Sequence, residues 1–493
     1  MNGPRPAALV LLLAVTLLTP GRGLAAKAPA EGPPQKPNIL ERPNILVIMT
    51  DDQTVEQMRA LPKTRRLLAA RGTTFANSFV EVSLCCPSRS TFLTGQYAHN
   101  HGVLANGGPH GGYVHLDHSN TLPLWLQEAG YYTAHVGKYL NNYGKKSPAP
   151  PPGWSRWFAL TDPTVYRMYD YTVSDDGRPV TYGEAPQDYQ TDVIAAKAEE
   201  ILRSRAGASQ PFFVTVAPTS PHLERLTREQ TPPRPAPRYA GRYAAEAMPR
   251  QPSFDEADVA DKPGHIRNRP RLSPAKRARI LATYRACLAS LLAADDLVER
   301  LVRALEQTGQ LGRTVIVFTS DNGFFFGEHR VAGGKYLPYE ESIRVPLIIY
   351  DGRKDGRKDG RFPAGLTVTQ PVSNVDLAPT IVALAGARAR RVMDGRSLLP
   401  LVQDPKLGPK LGKDRTLLIE GFGEGHDKPP FTALRDPRWF YAEYRNGDTE
   451  LYDLRNDPFE LRSLHADPAF AAVRRDLAGR LARLRTCAGG SCG

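Results

Sequence analysis

Four short apolar runs, each ending on a polar residue, constrain the fold of this chain more than any other feature. Residues 44–50 run into Asp51 and Asp52, and residues 131–136 run into Gly137-Lys138. Residues 212–216 lead toward His222, and residues 314–319 run into Ser320-Asp321-Asn322-Gly323. A fifth run, residues 345–350, has no such ending. Near-continuous β-branched and aromatic runs suit strands buried on both faces, as in parallel sheets. Helical patterns fall between them at residues 64–71, 122–130, 190–205 and 273–308, the last opening on the start signal Ser273-Pro274. Strands alternating with helices predict an α/β fold, a large and mostly parallel central sheet flanked by helices. In open parallel sheets, ligands bind beyond the carboxyl ends of the strands. The four polar endings are therefore expected in one cleft.

With 493 residues the chain is long enough for one large domain and a smaller one. The pattern changes near residue 400. Residues 416–420, 431–435, 439–444 and 450–454 read as short strands, and 467–485 as a helix. They predict a smaller C-terminal antiparallel sheet packed by that helix. The division expected is a main domain over 42–400 and a C-terminal subdomain over 401–493. Residues 227–271, rich in Pro, Arg and Ala, read as a long surface excursion over the cleft. Residues 351–361 repeat Asp-Gly-Arg-Lys and read as a surface hairpin tip.

The N-terminus carries an apolar run at residues 9–18 behind Arg5, followed by the small residues Gly23 and Ala25. This predicts a secretory signal peptide over 1–25, too short to span a bilayer, and a Pro/Ala-rich lead-in over 26–41. The mature protein is expected outside the cell or on the exterior of its envelope, with no stable membrane insertion. Export permits disulfides. Of five cysteines, Cys487 and Cys492 are spaced to close a small loop, and Cys287 reads as a buried helix thiol. The adjacent Cys85-Cys86 needs another explanation. The formal net charge of +13 fits either a polyanionic partner or an Arg-rich solvated surface, and the charges are too scattered to choose. No zinc-finger, helix-turn-helix or RNA-binding pattern points to nucleic acid.

Asp51, Asp52 and Asp321, with the Asn322 amide, form an all-oxygen set at predicted strand ends. Hard cations, calcium or magnesium, prefer such donors. Either pair alone would be ordinary turn chemistry. The segment Cys85-Cys86-Pro87-Ser88-Arg89-Ser90-Thr91-Phe92-Leu93-Thr94-Gly95 shifts the balance. It resembles the Cys-x-Pro-Ser-Arg…Leu-Thr-Gly hallmark of the sulfatases, of the alkaline phosphatase-like superfamily. The resemblance extends through His101-Gly102-Val103, Gly137-Lys138, Ser220-Pro221-His222, Ser320-Asp321-Asn322-Gly323-Phe324, Gly333-Gly334-Lys335 and Glu450-Leu451-Tyr452-Asp453-Leu454.

The resemblance implies that a formylglycine-generating enzyme oxidises Cys85 to formylglycine during maturation. The aldehyde hydrate attacks sulfur, and its second hydroxyl then expels sulfate. It further implies one Ca2+, in preference to Mg2+, held by Asp51, Asp52, position 85, Asp321 and Asn322. Arg89 would orient the hydrate, Lys138 and Lys335 would hold sulfate oxygens, and His222 would serve the leaving oxygen. Asp321 would double as ligand and base. Many arylsulfatases place a His two residues after the Lys of Gly-Lys, where this chain has Leu140. Gly137-Lys138-Tyr139-Leu140-Asn141 and Tyr97-Ala98-His99-Asn100-His101 instead resemble the N-acetylglucosamine-6-sulfatase and extracellular heparan endosulfatase branch, with Asn141 or Asn142 near substrate. His99, His101, His110, His115 and His118 lack a zinc-ligand pattern and read as structural or cleft-lining. The function implied is release of sulfate from a sulfated sugar, N-acetylglucosamine 6-sulfate in glycosaminoglycans. The alternatives are a phosphodiesterase or phosphonate monoester hydrolase of the same superfamily, or a non-catalytic glycan-binding protein with unmodified Cys85.

Overall fold

In the computed structural model, the described residues form sixteen strands in three sheets. In chain order they are β1 (Asn44–Thr50), β2 (Thr73–Phe75), β3 (Ser78–Phe79), β4 (Tyr132–Gly137), β5 (Arg156–Leu160), β6 (Tyr171–Asp175), β7 (Arg178–Tyr182), β8 (Phe212–Ala217), β9 (Thr314–Ser320), β10 (Leu347–Asp351), β11 (Leu366–Val368), β12 (Val372–Ser373), β13 (Leu417–Gly421), β14 (Phe431–Arg435), β15 (Trp439–Tyr444) and β16 (Thr449–Asp453). The structure describes residues 1, 3 and 42–492, apart from 228, 355–360, 404–411, 413–414 and 424–427. The signal-peptide and lead-in expectations lie outside the described residues, as does most of the 351–361 tip.

Ten strands form the central sheet in the order β11-β2-β10-β9-β1-β8-β4-β5-β6-β7. Its middle, β9-β1-β8-β4-β5, is parallel throughout. β1, β8 and β9 are buried along their whole length, as their apolar runs require. Alternate residues face opposite sides. Leu46, Ile48, Ile316 and Phe318 join one core with helices α3 (Gln190–Ser204) and α4 (Pro274–Gln307). Ile45, Val47, Val315 and Val317 join the other core with α1 (Cys85–Thr94), α2 (Leu122–Glu128) and α5 (Leu377–Ala385). Each fully buried aliphatic side chain contributes about 1.5–3 kcal/mol to this packing. Ser273 caps α4 by accepting from the Lys276 amide. β10 pairs antiparallel to β9, so its C-terminal end points away from the ends of β1, β4, β8 and β9. That is why the fifth apolar run ends on no site residue.

β13 to β16 form an antiparallel four-stranded meander. One face, with Leu417, Ile419, Phe440 and Tyr452, packs on Phe79, Val82 and Tyr339. The other, with Leu418, Leu434 and Leu451, packs on α6 (Ala471–Leu484). Cys487 and Cys492 are disulfide-bonded, and Cys287 is a buried free thiol. The 227–271 segment is more anchored than the sequence suggests. Ser253, Asp255, Glu256, Val259 and Lys262 are buried, and Lys262 Nζ pairs with Glu256 at 3.1 Å. Gln230 near its start and Arg225 just before it line the cleft at the strand ends, whereas Met248 and Gln251 line a separate cavity. Among the described residues, no helix is long and apolar enough to cross a membrane.

Candidate functional site

Parallel register sets the site. β1 and β9 pair Thr50 with Ser320, so the next residues of each strand, Asp51 and Asp321, emerge side by side. β4 pairs with β8 up to Gly137 and Ala217, which places Lys138 on the same edge. Gly137 sits at φ 110°, and a Cβ there would stand 2.2 Å from the Ala217 carbonyl oxygen. A Cβ on Gly323, after Asn322, would meet the Glu341 carbonyl oxygen at 2.1 Å. Only glycine permits these approaches. Asp52 adopts φ 65°, a left-handed conformation costing an ordinary residue about 1–2 kcal/mol. It is held there by its amide donating to Asp321 Oδ1 at 3.1 Å and by Asn322 Nδ2 donating to Asp52 Oδ1 at 2.7 Å. Strain so over-determined marks a functional constraint.

Position 85 is delivered by α1, every residue of which is buried. Cys85 opens this helix, and Arg89 follows one turn later on the same face. Arg89 Nε donates to Asp321 Oδ2 at 2.8 Å and Nη1 to the Lys138 carbonyl at 2.7 Å. Cys85 Sγ lies 3.4 Å from Asp51 Oδ1 and 2.8 Å from Lys335 Nζ, and Lys335 also donates to Asp52. Lys138 Nζ donates to Asp51 Oδ2 at 2.5 Å. His222 Nε2 stands 3.6 Å from Asp52 Oδ2. Its Nδ1–H donates to the Leu223 carbonyl at 2.7 Å, which leaves Nε2 as the atom that takes or gives a proton.

All nine residues singled out by sequence therefore meet at one edge of the sheet. They are Asp51, Asp52, Cys85, Arg89, Lys138, His222, Asp321, Asn322 and Lys335. Burial alone would raise the Asp51 carboxyl, but Lys138, His222 and Arg89 outweigh it and hold the group below its ordinary range. Burial likewise opposes Asp52, where Lys335 and His222 prevail. Burial, then the Asp321 and Asp51 carboxylates, push the Cys85 thiol above its usual value. An unmodified thiol held neutral is a weak nucleophile. The donor set suits a hard divalent cation: three buried carboxylates, and an Asn322 amide whose Oδ1 is buried without a hydrogen-bond partner. One donor atom each from Asp51, Asp52, Cys85 and His222 falls within 4.8 Å of the others.

Three side chains of the site carry no motif and were not found by sequence. Tyr166 stacks on His222 with centroids 3.9 Å apart and lies under Lys138 Nζ at 4.7 Å. Asn106 Oδ1 accepts from the Cys86 amide at 2.8 Å. Asn374 Nδ2 donates to Ser88 Oγ at 2.8 Å, and Ser88 Oγ donates to the Asp321 carbonyl at 2.5 Å. Each lies outside the motifs, in a loop or, for Asn374, at the start of a short 3-10 helix, so only the folded chain reveals it. Of the two asparagines expected near substrate, Asn141 donates to the Tyr166 hydroxyl at 2.7 Å, and both line the cleft. Leu140 is buried in the apolar core and offers no proton acceptor. His99 and His101 are structural: His99 bridges Glu420 and the Cys487 carbonyl, and His101 contacts Thr91 and the Val103 amide.

A family model described as Sulfatase matches residues 43–387. The chain belongs to the sulfatase family. A second model, described as N-sulphoglucosamine sulphohydrolase, C-terminal, matches residues 327–487 of this sulfatase. The sulfatase is 34% identical to an arylsulfatase of Volvox carteri, over 92% of this chain and 76% of that one. It is 35% identical to the N-acetylglucosamine-6-sulfatase of Homo sapiens, over 78% of this chain and 68% of that one. Among solved structures, a protein in complex with its substrate D-glucosamine-2-N,6-O-disulfate matches with a TM-score of 0.76 and 25% identity, covering 90% of this chain and 97% of that chain.

Proposed function

We propose that this sulfatase releases inorganic sulfate from the 6-O-position of N-acetylglucosamine units in glycosaminoglycans, using formylglycine at position 85 and one Ca2+ held by Asp51, Asp52, Asp321 and Asn322. The observation that carries the reading is the charge balance around Cys85. Asp51, Asp52 and Asp321 carry three negative charges, and Arg89, Lys138 and Lys335 carry three positive ones. With His222 neutral the buried cluster sums to zero. A divalent cation would leave it at +2, matched to a sulfate ester and to the sulfate dianion it becomes. When present, the aldehyde hydrate supplies the attacking oxygen and the calcium supplies positive charge beside it.

The chain's own residues do the rest. Lys138 and Lys335 bind sulfuryl oxygens through Nζ. Arg89 orients position 85 and holds Asp321 in place through its Nε–H. His222, anchored at Nδ1 and stacked on Tyr166, takes up a proton at Nε2 as the anionic substrate binds and passes it to the leaving oxygen. Asp51 Oδ1, the carboxylate oxygen nearest position 85, accepts a hydrogen bond from it, and Asp321 doubles as ligand and base, a role that buried Leu140 cannot fill. The cleft above, about 620 Å³, is rimmed by Asn106, Asn141, Asn142, Lys145, Arg225 and Lys428. Amides and cations on one rim suit an anionic sugar. The likeness to N-acetylglucosamine-6-sulfatases and to the structure bound to disulfated glucosamine supports this substrate class. The extracellular setting is supported by the apolar N-terminal run and by the disulfide at the C-terminus.

The test uses the full chain co-expressed with a formylglycine-generating enzyme, with mass spectrometry of the Cys85 peptide. Sulfate release is then measured on sulfated mono- and oligosaccharides against aryl phosphate and phosphonate esters. Turnover of N-acetylglucosamine 6-sulfate, abolished in Cys85→Ala with the fold intact, is the expected result. Faster turnover of the phosphorus esters, or full activity in Cys85→Ala, would overturn it.

A further inference from the structure

A second convergence of metal-type side chains lies outside the catalytic set, where the loop after β9 meets the C-terminal subdomain. We propose that His329, Glu341 and Glu460 form a zinc-type divalent cation site that pins this subdomain to the catalytic core. Each residue offers one donor atom, and the three atoms lie within 4.8 Å of one another. His329 Nε2 stands 3.8 Å from Glu341 Oε2. His329 is 0% exposed and Glu460 1% exposed. His329 Nε2, Glu341 Oε2 and Glu460 Oε1 are all buried without a hydrogen-bond partner. Three unpartnered buried polar atoms on side chains that converge this closely are costly unless something binds there.

The opposite end of every one of these side chains is held. His329 Nδ1 is 2.7 Å from Glu256 Oε2, so Nδ1 carries a proton and Nε2 is the nitrogen left to face a metal. Ser253 Oγ donates to Glu341 Oε1 at 2.9 Å. The Glu340 amide donates to Glu460 Oε2 at 3.0 Å. A carboxylate behind an imidazole and a donor behind each ligating carboxylate are the outer contacts that orient metal ligands. The ring is fixed further by Tyr339, stacked at 4.2 Å, and by a left-handed backbone at His329, φ 49°.

The donor chemistry selects the ion. One imidazole nitrogen and two carboxylate oxygens suit zinc, whereas calcium and magnesium take oxygen donors alone. Glu341 also lines the cavity shared with Glu328, Glu340 and Arg344, which gives an entry path and room for water as a fourth ligand. The catalytic cluster has the opposite character, oxygen donors with three cations close by. The two sites thus differ in the ion they take.

The full chain is loaded with Zn2+, dialysed into metal-free buffer and analysed by mass spectrometry for elements. About one zinc per chain is expected, with an anomalous peak at the zinc edge about 2.0–2.2 Å from the three atoms. His329→Gln and Glu460→Gln should lose that zinc while still binding Ca2+. Phenanthroline should lower the wild-type Tm by ~3 °C and leave Glu460→Gln unshifted. If either buried substitution fails to fold, Glu341→Gln, at the partly exposed ligand, carries the comparison. A wild type that retains no zinc would overturn the proposal and leave a shared proton or water between the three side chains. So would variants that keep the metal.

Discussion

Replacing Lys138 with methionine tests the charge balance on which the site depends. Lys138 is buried, 1% exposed, and its Nζ lies 2.5 Å from Asp51 Oδ2 and 3.8 Å from Asp321 Oδ2. The next cation to Asp51, Arg89 Nη2, is 3.8 Å away. Breaking a buried pair by removing one partner costs ~3–5 kcal/mol. At ~2.1 cal/mol/K per residue over about 450 residues, the unfolding entropy is ~0.95 kcal/mol/K, so the calcium-free Tm should fall by ~3–5 °C. A bound divalent ion supplies Asp51 with a new partner and escapes repulsion from the lost ammonium. Saturating calcium should therefore restore most of the Tm. By linkage, the recovered ~3–5 kcal/mol appears as calcium affinity tightened by up to ~10²–10⁴-fold. Turnover should move the other way and fall ~10²–10³-fold, the cost of removing one preorganised partner of the transition-state charge. Differential scanning calorimetry with and without Ca2+, isothermal titration and steady-state kinetics read the three quantities. The reasoning fails if Lys138→Met binds calcium more weakly, or if its Tm loss is the same in both conditions.

Further outcomes follow from other parts of the molecule. Tyr166→Leu removes the stacking on His222 and the cation–π contact with Lys138, together ~1–3 kcal/mol; kcat/KM should drop ~10–100-fold with formylglycine content unchanged, and an unaltered rate would remove Tyr166 from the site. Burial raises the Glu81 carboxyl to about 8, so the folded protein holds a proton there that the unfolded chain releases near 4.5. This contribution to stability is complete below pH 4.5 and is lost as pH rises toward 8, at up to ~1.4 kcal/mol per pH unit. The Tm–pH slope over that window should flatten in Glu81→Gln and stay unchanged if the carboxyl is ionised in the fold. Burial holds His101 and His135 neutral down to about 3, so stability is complete above the ordinary value of 6.5 and is lost as pH falls from 6.5 toward 3. Asn in place of either histidine should shallow the acid limb of the same curve, and an identical limb would refute the assignment. Arg415 donates to both oxygens of buried Asp376 at 2.7 Å, and Arg415→Met should cost ~3–5 kcal/mol in denaturant unfolding; a loss below ~1 kcal/mol would show that solvent replaces the pair.

The central strands, the long helices and the nine site residues could be read from the chain because each signal is local. A strand buried on both faces must be apolar along its length, so β1, β8 and β9 announce themselves, and in a parallel sheet their next residues share an edge. The Cys85–Thr94 segment carries its family resemblance in contiguous letters. What escaped was short or remote, or, as with β5 to β7 at one side of the central sheet, ended on no residue of chemical interest. β2, β3, β11 and β12 have two or three residues each, too few to show periodicity, and they pair with partners across the fold. The antiparallel sense of β10 leaves no trace in its own residues.

Local patterning thus determined which residues become strands, which end on carboxylates or a lysine, and that position 85 heads a helix. Tertiary packing alone decided the set of distances that makes them a site. The 3.4 Å from Cys85 to Asp51, the Tyr166 ring behind His222 and the orphaned His329, Glu341 and Glu460 all join segments far apart in the chain. The physical reason is that side-chain periodicity reports burial one element at a time. Electrostatic balance depends on separations between elements, which exist only once the sheet has closed its register.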